Sequence, residues 1–530
     1  MRSGFGSRPI AALTVDAGVL GRLYFAALVA SLAFRFWLAE SLPITGDEAY
    51  FIYWGLKPDW GFYDHPPMVG WWLAALLAVS DAEWWLRLPM TLQPAVLSLA
   101  TCAFLRARDG GQPAGAADDT AWFAALLVLL APASVWNVLI TTDTPLVYFS
   151  FFSALAFIRA ARDDDPRFYL LAGVLLGAAF LSKYFAVLLG VAYAAHALWR
   201  PTRRRLGGLL LVVIGAAFGP ALNIWWNMDH CWSNIMFNLF NRHEGNSGLN
   251  WKTPPLYLAT MLYLLTPLVI WRLAKSRLAL AALWREPQSR AMLLIAGAPL
   301  ALFAALSLVK TIGAHWVLSF VPFVLMVFAR TLPEVRRPAA VRFFGGFAAA
   351  HVVLIALIAL LPIETWSSTR QYDGIVMTVK PQELLDRLRP FERDYHFAAE
   401  GYSPAVTMSY NARRYFSVFG PGSSHARHDD ILTDFRTLDT QNILVLRKSA
   451  PDVAHQYAPY FREVEVREIE VHGAKFWIVL GRVFNYAAYR EGVLEPIRKH
   501  WYAIPGWLPM SGCYFCERYF PGRACRAGGA

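Results

Sequence analysis

A group of acidic and aromatic residues follows the first long apolar run of the chain. Residues 43–67 read PITGDEAYFIYWGLKPDWGFYDHPP and include Asp47, Glu48, Asp64 and His65. Carboxylates at the edge of a membrane span are costly unless they face water, a metal ion or a substrate. In a partly dry site, a carboxylate can act as a general base or ligate a metal. The segment therefore predicts a functional site at Asp47 and Glu48. The simpler alternative is an acid that complements the N-terminal dipole of a helix.

A second acidic position and several cations interrupt apolar stretches farther along the chain. Asp143 lies in ITTDTPL, where Thr-Asp-Thr-Pro is also a good start for a helix. Lys183 and Lys310 stand in apolar surroundings, and Arg242-His243 lies in a polar loop. For each cation alone, snorkelling to the membrane interface is the simpler interpretation. Three separated cations near acidic residues suit the phosphate of an anionic lipid better.

The composition identifies the class of protein. Of the 530 residues, 56% are hydrophobic and only 16% are charged, so a soluble globule is excluded. Apolar runs of about 17–22 residues recur, which is long enough to cross a bilayer. The net charge of +11 lies in short clusters between these runs, as a topology signal does. No basic domain with interleaved aromatic residues is present in the sequence, which argues against nucleic acid as a partner. The first apolar run, without a clear cleavage site, reads as a retained helix.

Length and charge together predict the topology. As a helix, the apolar run 67–80 would reach only about 21 Å, too short to cross comfortably, so we predict a juxtamembrane helix there. The chain then has eleven spans with its N-terminus inside, and Arg and Lys concentrate in the inside loops. The same topology gathers polar residues from distant segments at the outer face. These residues are Asp47, Glu48, Asp64, His65, Asp143, Lys183, Arg242, His243, Lys310 and His315.

The chain changes character after residue 363. It becomes more polar, and its shorter apolar runs (HFAAEGY, AVTMSY, YFSVFG, NILVL and FREVEVREIEV) read as strands. The segment 381–391 reads as a helix. We therefore predict a transmembrane domain, residues 1–363, followed by a small α/β domain with a cysteine-containing tail outside the membrane, residues 364–530.

The five cysteines divide into two groups. Cys513 and Cys516 have CxxC spacing and lie near Cys525, which favours a disulfide and leaves a metal site as the alternative. Cys102 and Cys231 are isolated in the sequence and are interpreted as small buried hydrophobic residues.

These motifs resemble one known family. ITGDEAYFIYWGLKPDWGFYDHPPMVGWW is similar to the first outer loop of bacterial GT-C glycosyltransferases of the protein-mannosyltransferase and lipid A aminoarabinose-transferase type. The likeness continues through Arg87-Leu88-Pro89, TTDTPL, LSKYFAVLL, NIWWNMDHCWSNIMFNLFNRHEG and SLVKTIGAHWVLSFVPFV, within residues 20–330. It implies a polytopic α-helical membrane protein of the GT-C type with about 11–13 transmembrane helices. A juxtamembrane helix in the first outer loop and a small C-terminal α/β periplasmic domain complete the expected fold.

The resemblance also implies a reaction. A single sugar, a hexose or a pentose, would pass with inversion from a polyprenyl-phosphate donor to an envelope acceptor, namely lipid A, another glycolipid, a polysaccharide or a protein. The enzyme would lie in the bacterial inner membrane among its lipids, with the active site on the periplasmic side. Lipid phosphate is already a leaving group, so a positioned base and charge stabilisation suffice and no soluble nucleotide is needed.

The same family resemblance distributes roles over the residues of this chain. Asp47 would activate the acceptor nucleophile, with Glu48 supporting it or holding a divalent metal ion, and Asp143 would be a second catalytic acid. The departing lipid phosphate would be bound by Lys183, Arg242, Lys310 and His315. The substrate cavity would be lined by Tyr50, Asp64, His65 and His243.

Two other functions also place charges beside membrane spans. A polytopic transporter is the main alternative, and a lipid-binding protein of envelope assembly without catalysis is the next. A transporter gathers its polar residues near the bilayer midplane between inverted repeats. Here the polar residues gather at one face and no such repeat is visible in the sequence, which favours the transferase.

Overall fold

Helices make up most of the chain as far as residue 360. The computed structural model describes residues 18–108, 114–241, 248–421, 427–523 and 525–526. Seven helices in these ranges are long and apolar enough to cross a membrane. They are Val19–Ser41, Leu88–Ala107, Asp143–Asp163, Arg203–Asp229, Thr253–Lys275, Pro287–Leu306 and Glu334–Leu360. Shorter apolar helices lie between them, namely Ala114–Leu129, Pro166–Phe180, Tyr184–Trp199 and Val321–Thr331.

Burial within the helical bundle falls from its centre to its edge. The apolar part of Asp143–Asp163 is 72% buried, whereas that of Glu334–Leu360 is only 11% buried. Large apolar side chains such as Val29 and Leu360 therefore point outward, 68% and 72% exposed. A continuous apolar surface of this kind needs lipid around it. The protein is a multi-pass membrane protein, as predicted, and the number of spans stays a prediction.

A buried arginine joins three segments of the bundle. Arg35, in the first long helix, is 1% exposed and donates hydrogen bonds to four backbone carbonyl oxygens, including those of Met90 and Asn137. Pro94 has no N–H to offer the carbonyl of Met90, four residues earlier, so the guanidinium takes the place of that missing donor. The contact to Asn137, at 2.7 Å, fixes the segment that leads to Asp143.

The first acidic segment folds as two short helices in close contact. They are Gly46–Leu56 and Met68–Leu77, and the second confirms the predicted helix at 67–80. Gly55 lies so near the second helix that a Cβ there would come within 2.6 Å of the Leu73 side chain. Gly70 likewise lies against the ring of Phe62. This packing makes the region from Gly46 to Leu77 one rigid unit.

The C-terminal part is built on one five-stranded sheet. Its strands are β1 (His396–Ala399), β2 (Ser417–Val418), β3 (Ile443–Arg447), β4 (Phe461–Val471) and β5 (Ala474–Phe484). The spatial order is β2-β1-β3-β5-β4, with β1, β2 and β3 parallel and β5 antiparallel to both neighbours. Helices Tyr372–Val379, Pro381–Leu388 and Tyr402–Ala412 accompany it. The predicted small α/β domain is therefore present, and its boundary at residue 363 stays a prediction.

The two faces of the sheet have different partners. Phe397, Leu444 and Ile478 pack with the helices on one face, including Met408. On the opposite face, Val445 and its neighbours join a cluster with the C-terminal tail and the loop after Arg203–Asp229. The buried residues in the described part of the tail thus pack between the sheet and the loop that follows Arg203–Asp229.

The sequence-based interpretation was wrong for two elements of this domain. AVTMSY lies inside the helix Tyr402–Ala412 rather than in a strand. Its apolar residues Ala405 and Met408 are three apart and share one buried helix face, a spacing that alternation along a strand cannot produce. The strand β5 was missed, and it pairs with β4 through a tight turn at His472-Gly473, both with positive φ.

The cysteine pairing also differs from the prediction. Cys231 is joined to Cys513, and Cys516 is joined to Cys525, so the two cysteines of the CxxC spacing are not bonded to each other. Cys231 is therefore not a simple buried hydrophobic residue, whereas Cys102 is buried and free as expected. The disulfide Cys231–Cys513 fastens the tail to the loop that follows Arg203–Asp229, next to the candidate site.

Candidate active site

The helix that carries Asp47 begins with a complete capping box. Thr45 accepts a hydrogen bond from the backbone N–H of Glu48, and the Glu48 carboxylate accepts one from the backbone N–H of Thr45. This fixes the first turn and turns Asp47 to the opposite side, where its carboxylate is exposed. The hydroxyl of Tyr402 donates to that carboxylate at 3.2 Å. Asp47 therefore remains open to a substrate, while the backbone around it is rigid.

Glu48 is 1% exposed and forms a bidentate ion pair with Arg87. The Nε and Nη2 atoms of Arg87 each lie 2.8 Å from one of its carboxylate oxygens. The backbone N–H of Ile140 donates to the same carboxylate at 3.0 Å. Arg87 also donates to the carbonyl oxygens of Ala39 and Leu42, at the end of the first long helix. The pair thus joins the acidic segment to three parts of the bundle.

Asp64 lies at the centre of a second buried group. Its carboxylate accepts from the hydroxyl of Tyr50 at 3.2 Å, and it lies 3.4 Å from His65 Nδ1 and 3.3 Å from Arg427. Although burial raises the pKa of Asp64, the nearby His65 and Arg427 lower it to about 2. Asp64 therefore stays ionised and holds the Tyr50 hydroxyl and the Arg427 guanidinium in place.

The C-terminal domain contributes residues that the sequence interpretation missed. Tyr402 contacts Asp47, and the guanidinium of Arg427 lies 3.8 Å from the centre of the Tyr402 ring. The ring Nδ1 of His428 accepts a hydrogen bond from the backbone N–H of Tyr63 at 3.5 Å, and the backbone N–H of His428 donates one to the hydroxyl of Tyr50. These contacts join residues more than 300 positions apart. Arg427 and His428 are polar residues in a turn without a recognisable motif, so the local sequence gave no signal.

The buried His428 predicts a dependence of stability on pH. Burial lowers the pKa of His428 from 6.5 to about 4. Between these two pKa values the unfolded chain binds a proton at this histidine and the folded chain does not. The free energy of unfolding therefore falls as the pH falls from 6.5 towards 4. Between pH 7 and pH 5 we expect a loss of about 2 kcal/mol from this group. Thermal unfolding of H428Q should show a smaller change over that range. The exposed-site variant H455Q is the control, and an H428Q slope equal to that of the unmodified protein would contradict the assignment.

Asp143 and Lys183 form the second part of the site. Asp143 begins its helix, is 4% exposed, and accepts from Lys183 Nζ at 2.9 and 3.0 Å with its two oxygens. The predicted helix start and the predicted polar role are thus both compatible with its position. Lys183 stands where Pro166–Phe180 gives way to Tyr184–Trp199. Its extended backbone ends one helix and begins the next, which aims the side chain at Asp143.

Lys310 reaches the same region from the other half of the bundle. The ammonium groups of Lys183 and Lys310 lie 5.7 and 5.5 Å from the rings of Phe185 and Trp316, respectively. These two rings contact each other, with centroids 4.4 Å apart. His315 is exposed beside Trp316. Two cations 127 positions apart in the chain thus meet at one aromatic pair.

A row of asparagines connects the cationic part to the acidic part. Tyr184, adjacent to Lys183, donates to Asn223 at 3.1 Å and to Asn234. Asn234 donates to the carbonyl of Phe62 at 2.9 Å, and Asn238 donates to the carbonyl of Asp64 at 2.8 Å. The predicted positions Arg242 and His243 follow this row but lie outside the described residues. Asparagine side chains can donate and accept at once, which suits them to bridge two backbones.

The Asp47–Glu48 pair does not fit a metal ion. Both oxygens of Glu48 are occupied by Arg87, Thr45 and Ile140, so neither is available as a ligand. In the described ranges, the potential metal-binding cluster consists of Cys513, Cys516 and Cys525, with sulfur atoms within 4.8 Å of one another. Those sulfurs are in disulfides, which do not bind a metal as thiolates do.

This arrangement of helices and sheet has close counterparts among solved structures. ArnT from Cupriavidus metallidurans in the apo state matches with a TM-score of 0.60 at 14% identity, over 87% of this chain and 98% of that chain. The ArnT structure with bound undecaprenyl phosphate matches over the same shares with a TM-score of 0.55 at 13% identity. The chain has the GT-C fold. The predicted fold class is therefore confirmed.

Sequence comparisons connect this GT-C chain to sugar transferases over part of its length. Residues 64–226 match the family model described as dolichyl-phosphate-mannose-protein mannosyltransferase. Lipid A galacturonosyltransferase RgtD from Rhizobium johnstonii is 27% identical over 255 residues, 46% of this chain and 52% of that protein. The chain thus spans about half the length of the curated relative it matches. The matched family segment includes Arg87, Asp143 and Lys183 of the site.

Proposed function

We propose that the protein is a membrane glycosyltransferase that moves one sugar from a polyprenyl-phosphate donor to an envelope acceptor. The observation that carries the proposal is the state of the acidic residues around the site. Glu48 and Asp64 are buried in ion pairs with Arg87 and Arg427, whereas Asp47 is exposed. A general base must be accessible and firmly placed, and Asp47 meets both conditions.

The reaction follows from these positions. Asp47 accepts the proton of an acceptor hydroxyl as its oxygen attacks the anomeric carbon of the donor sugar. The bond from that carbon to the phosphate oxygen breaks, and the electron pair leaves with the polyprenyl phosphate. Attack on the side opposite the leaving group inverts the anomeric centre. Since phosphate departs as a stable anion, fixed cations near it are sufficient to assist its departure.

Lys183 and Lys310 are the proposed cations. Two of the three N–H groups of the Lys183 ammonium point to Asp143, which leaves one for a phosphate oxygen. In this proposal Asp143 is a positioning residue that holds Lys183 in place, rather than a second base. Lys310 lies against Trp316, and the contact of Trp316 with Phe185 brings both lysines to one wall of the site. His315 and Arg242 complete the proposed phosphate site.

The identity of the acceptor is part of the proposal. RgtD acts on lipid A by its name, and ArnT has been crystallised with undecaprenyl phosphate. We infer an undecaprenyl-type donor and a lipid A or related glycolipid acceptor for this chain. Mass spectrometry of envelope glycolipids and glycoproteins, with and without the protein, should identify the added sugar.

The membrane orientation is also proposed. Disulfides persist in the periplasm and are rare in the cytosol. The disulfides Cys231–Cys513 and Cys516–Cys525 lie beside the candidate site. We therefore infer that the site and the C-terminal domain face the periplasm of a bacterial inner membrane.

The decisive test is transfer by purified protein in vesicles that contain polyprenyl-phosphate sugars and lipid A. We expect release of free polyprenyl phosphate together with a glycosylated lipid. Movement of intact donor across the bilayer without any new glycosidic bond would instead identify a transporter.

Removal of one cation should weaken donor binding. K310A should raise the donor KM by about tenfold, because it removes a charge-assisted contact to phosphate. K252A, which removes an exposed lysine from the neighbouring outer loop, is the matched control. Steady-state kinetics over donor concentration measures both variants. An unchanged donor KM in K310A would remove Lys310 from the phosphate site.

A further inference from the structure

A cavity lies in the C-terminal sheet domain, and Asp47 is not among the residues that line it. It is at the carboxyl ends of the parallel strands β1 and β3, and its volume is about 580 Å³. The chain leaves β1 towards β2 on one side and leaves β3 towards β4 on the other. The adjacent ends of β1 and β3 are therefore a topological switch point, the place where open α/β sheets bind their ligands.

Charged side chains from both strands meet in this crevice. Glu400 directly follows β1, and Arg447 ends β3. Their side chains form an ion pair at 3.2 Å and are 22% and 11% exposed. Arg447 also donates to Gln456 at 2.9 Å and to the hydroxyl of Tyr457 at 2.8 Å. The crevice floor thus carries a rigid group of hydrogen-bond donors and acceptors.

The charge of this group indicates what it can bind. The carboxylate of Glu400 compensates the guanidinium of Arg447, so the floor has no excess positive charge for a phosphate. Gln456 adds a neutral amide at the rim, and the exposed His455 adds a ring whose Nδ1 lies 2.8 Å from the Asp452 carboxylate. A ligand that suits this floor is uncharged and rich in hydroxyl groups.

The walls of the crevice are aromatic. Phe419 and Tyr457 stack with their ring centres 5.7 Å apart, and Tyr460 and Trp501 line the same cavity. Phe419, Tyr457 and Tyr460 are buried, so the half-buried Trp501 is the ring of these four that offers a face to a ligand. An aromatic face beside planar polar groups suits a pyranose ring, which presents C–H groups on its face and hydroxyl groups at its edge. This combination distinguishes a sugar from a purely polar ion.

The crevice adjoins the outer loop of the membrane domain. Asn241 donates to the backbone carbonyl of Trp501 at 3.2 Å. Asn241 immediately precedes Arg242 and belongs to the loop whose Asn234 and Asn238 hold the backbone at Phe62 and Asp64. A molecule in the crevice is therefore held next to the loop that frames the candidate active site.

We propose that this crevice binds a sugar unit of the acceptor, at a distance from the hydroxyl that reacts. That the bound sugar belongs to the acceptor rests on the proposed function, whereas saccharide binding itself does not depend on it. The crevice would position an acceptor with more than one sugar unit and would favour it over a simple alcohol.

Direct binding is tested first with the full-length protein in lipid nanodiscs. The probes are the glucosamine disaccharide of lipid A without acyl chains and phosphates, a set of hexose and hexosamine methyl glycosides, and inorganic phosphate. Hydrogen–deuterium exchange should show protection of residues 447–457 and 492–501 by a saccharide and none by phosphate. Protection by phosphate alone, or no protection by any of the saccharides, would overturn the proposal.

Variants then separate this site from the catalytic one. W501A and R447M should raise the acceptor KM by about tenfold at unchanged kcat, because each removes a contact to the acceptor without removing one to the hydroxyl that reacts. H455A changes an exposed rim residue, so it should leave the fold intact, and it should also raise the acceptor KM. R467M removes an exposed arginine from β4 and is the matched control. If the acceptor KM stays the same in W501A, R447M and H455A, the crevice does not bind the acceptor. If the unmodified protein transfers no sugar but still shows saccharide protection, the proposed function fails and the binding site stands.

Discussion

Replacement of Asp47 by asparagine should lower the rate of sugar transfer by about 10²–10⁴-fold, the usual contribution of a general base. The amide that replaces the carboxylate cannot accept a proton from the acceptor hydroxyl. Its oxygen can still accept the hydrogen bond from Tyr402, and the capping box formed by Thr45 and Glu48 is unaffected. The loss should therefore appear in kcat, with the donor KM and the thermal stability unchanged.

The measurement is transfer from a polyprenyl-phosphate sugar by purified D47N in vesicles. D81N is the matched control, because Asp81 is an exposed carboxylate shortly after the helix Met68–Leu77, paired with Arg413 at the surface. D81N should retain activity within about twofold, since exposed ion pairs contribute little. Full activity of D47N would show that another group removes the proton.

Replacement of Arg87 by methionine should destabilise the fold by about 3–5 kcal/mol, because it leaves the buried Glu48 carboxylate without its charge partner. Arg87 and Glu48 are 0% and 1% exposed, and the pair connects the acidic segment to the first long helix. Thermal unfolding in detergent and the yield of folded protein measure the effect. R413M, which breaks the exposed pair with Asp81, should change stability by less than about 1 kcal/mol.

A double variant distinguishes charge from packing in the same pair. R87M combined with E48Q removes both charges but keeps a side-chain oxygen for the backbone N–H groups of Thr45 and Ile140, so the penalty for an unpaired buried carboxylate disappears. We expect the double variant to recover most of the stability lost in R87M. A double variant as unstable as R87M would mean that the contacts of Arg87 with Ala39 and Leu42 matter more than the ion pair.

The parts of the fold that depend on local composition could be predicted from the sequence. Apolar length predicted the long apolar helices, and the run at 67–80 was correctly interpreted as a short helix, Met68–Leu77. In the sheet domain, NILVL and FREVEVREIEV gave the correct strands, because aliphatic residues dominate the first and Val and Ile alternate with charged residues in much of the second. AVTMSY failed because its small residues follow a helical period within Tyr402–Ala412.

The candidate site could be predicted only in part, for a physical reason. Asp143 and Lys183 stand out as charges in apolar surroundings, and they do meet. The difference between Asp47 and Glu48 depends on Arg87, which is 39 positions from Glu48. Arg427 depends on a contact across 363 positions with Asp64. Pairings at such separations are set by tertiary packing, and no local pattern in the sequence encodes them.

The disulfide between Cys231 and Cys513 sets an order of events in the life of the protein. The two cysteines are 282 positions apart, and the second stands near the end of the chain. In the proposed orientation, the link closes only after the later membrane helices have been inserted and the sheet domain has been exported. The oxidant that joins the two thiols then acts outside the cytosol. A cell that cannot supply this oxidant would hold a membrane-inserted chain whose Cys513 segment is not yet fastened beside the site.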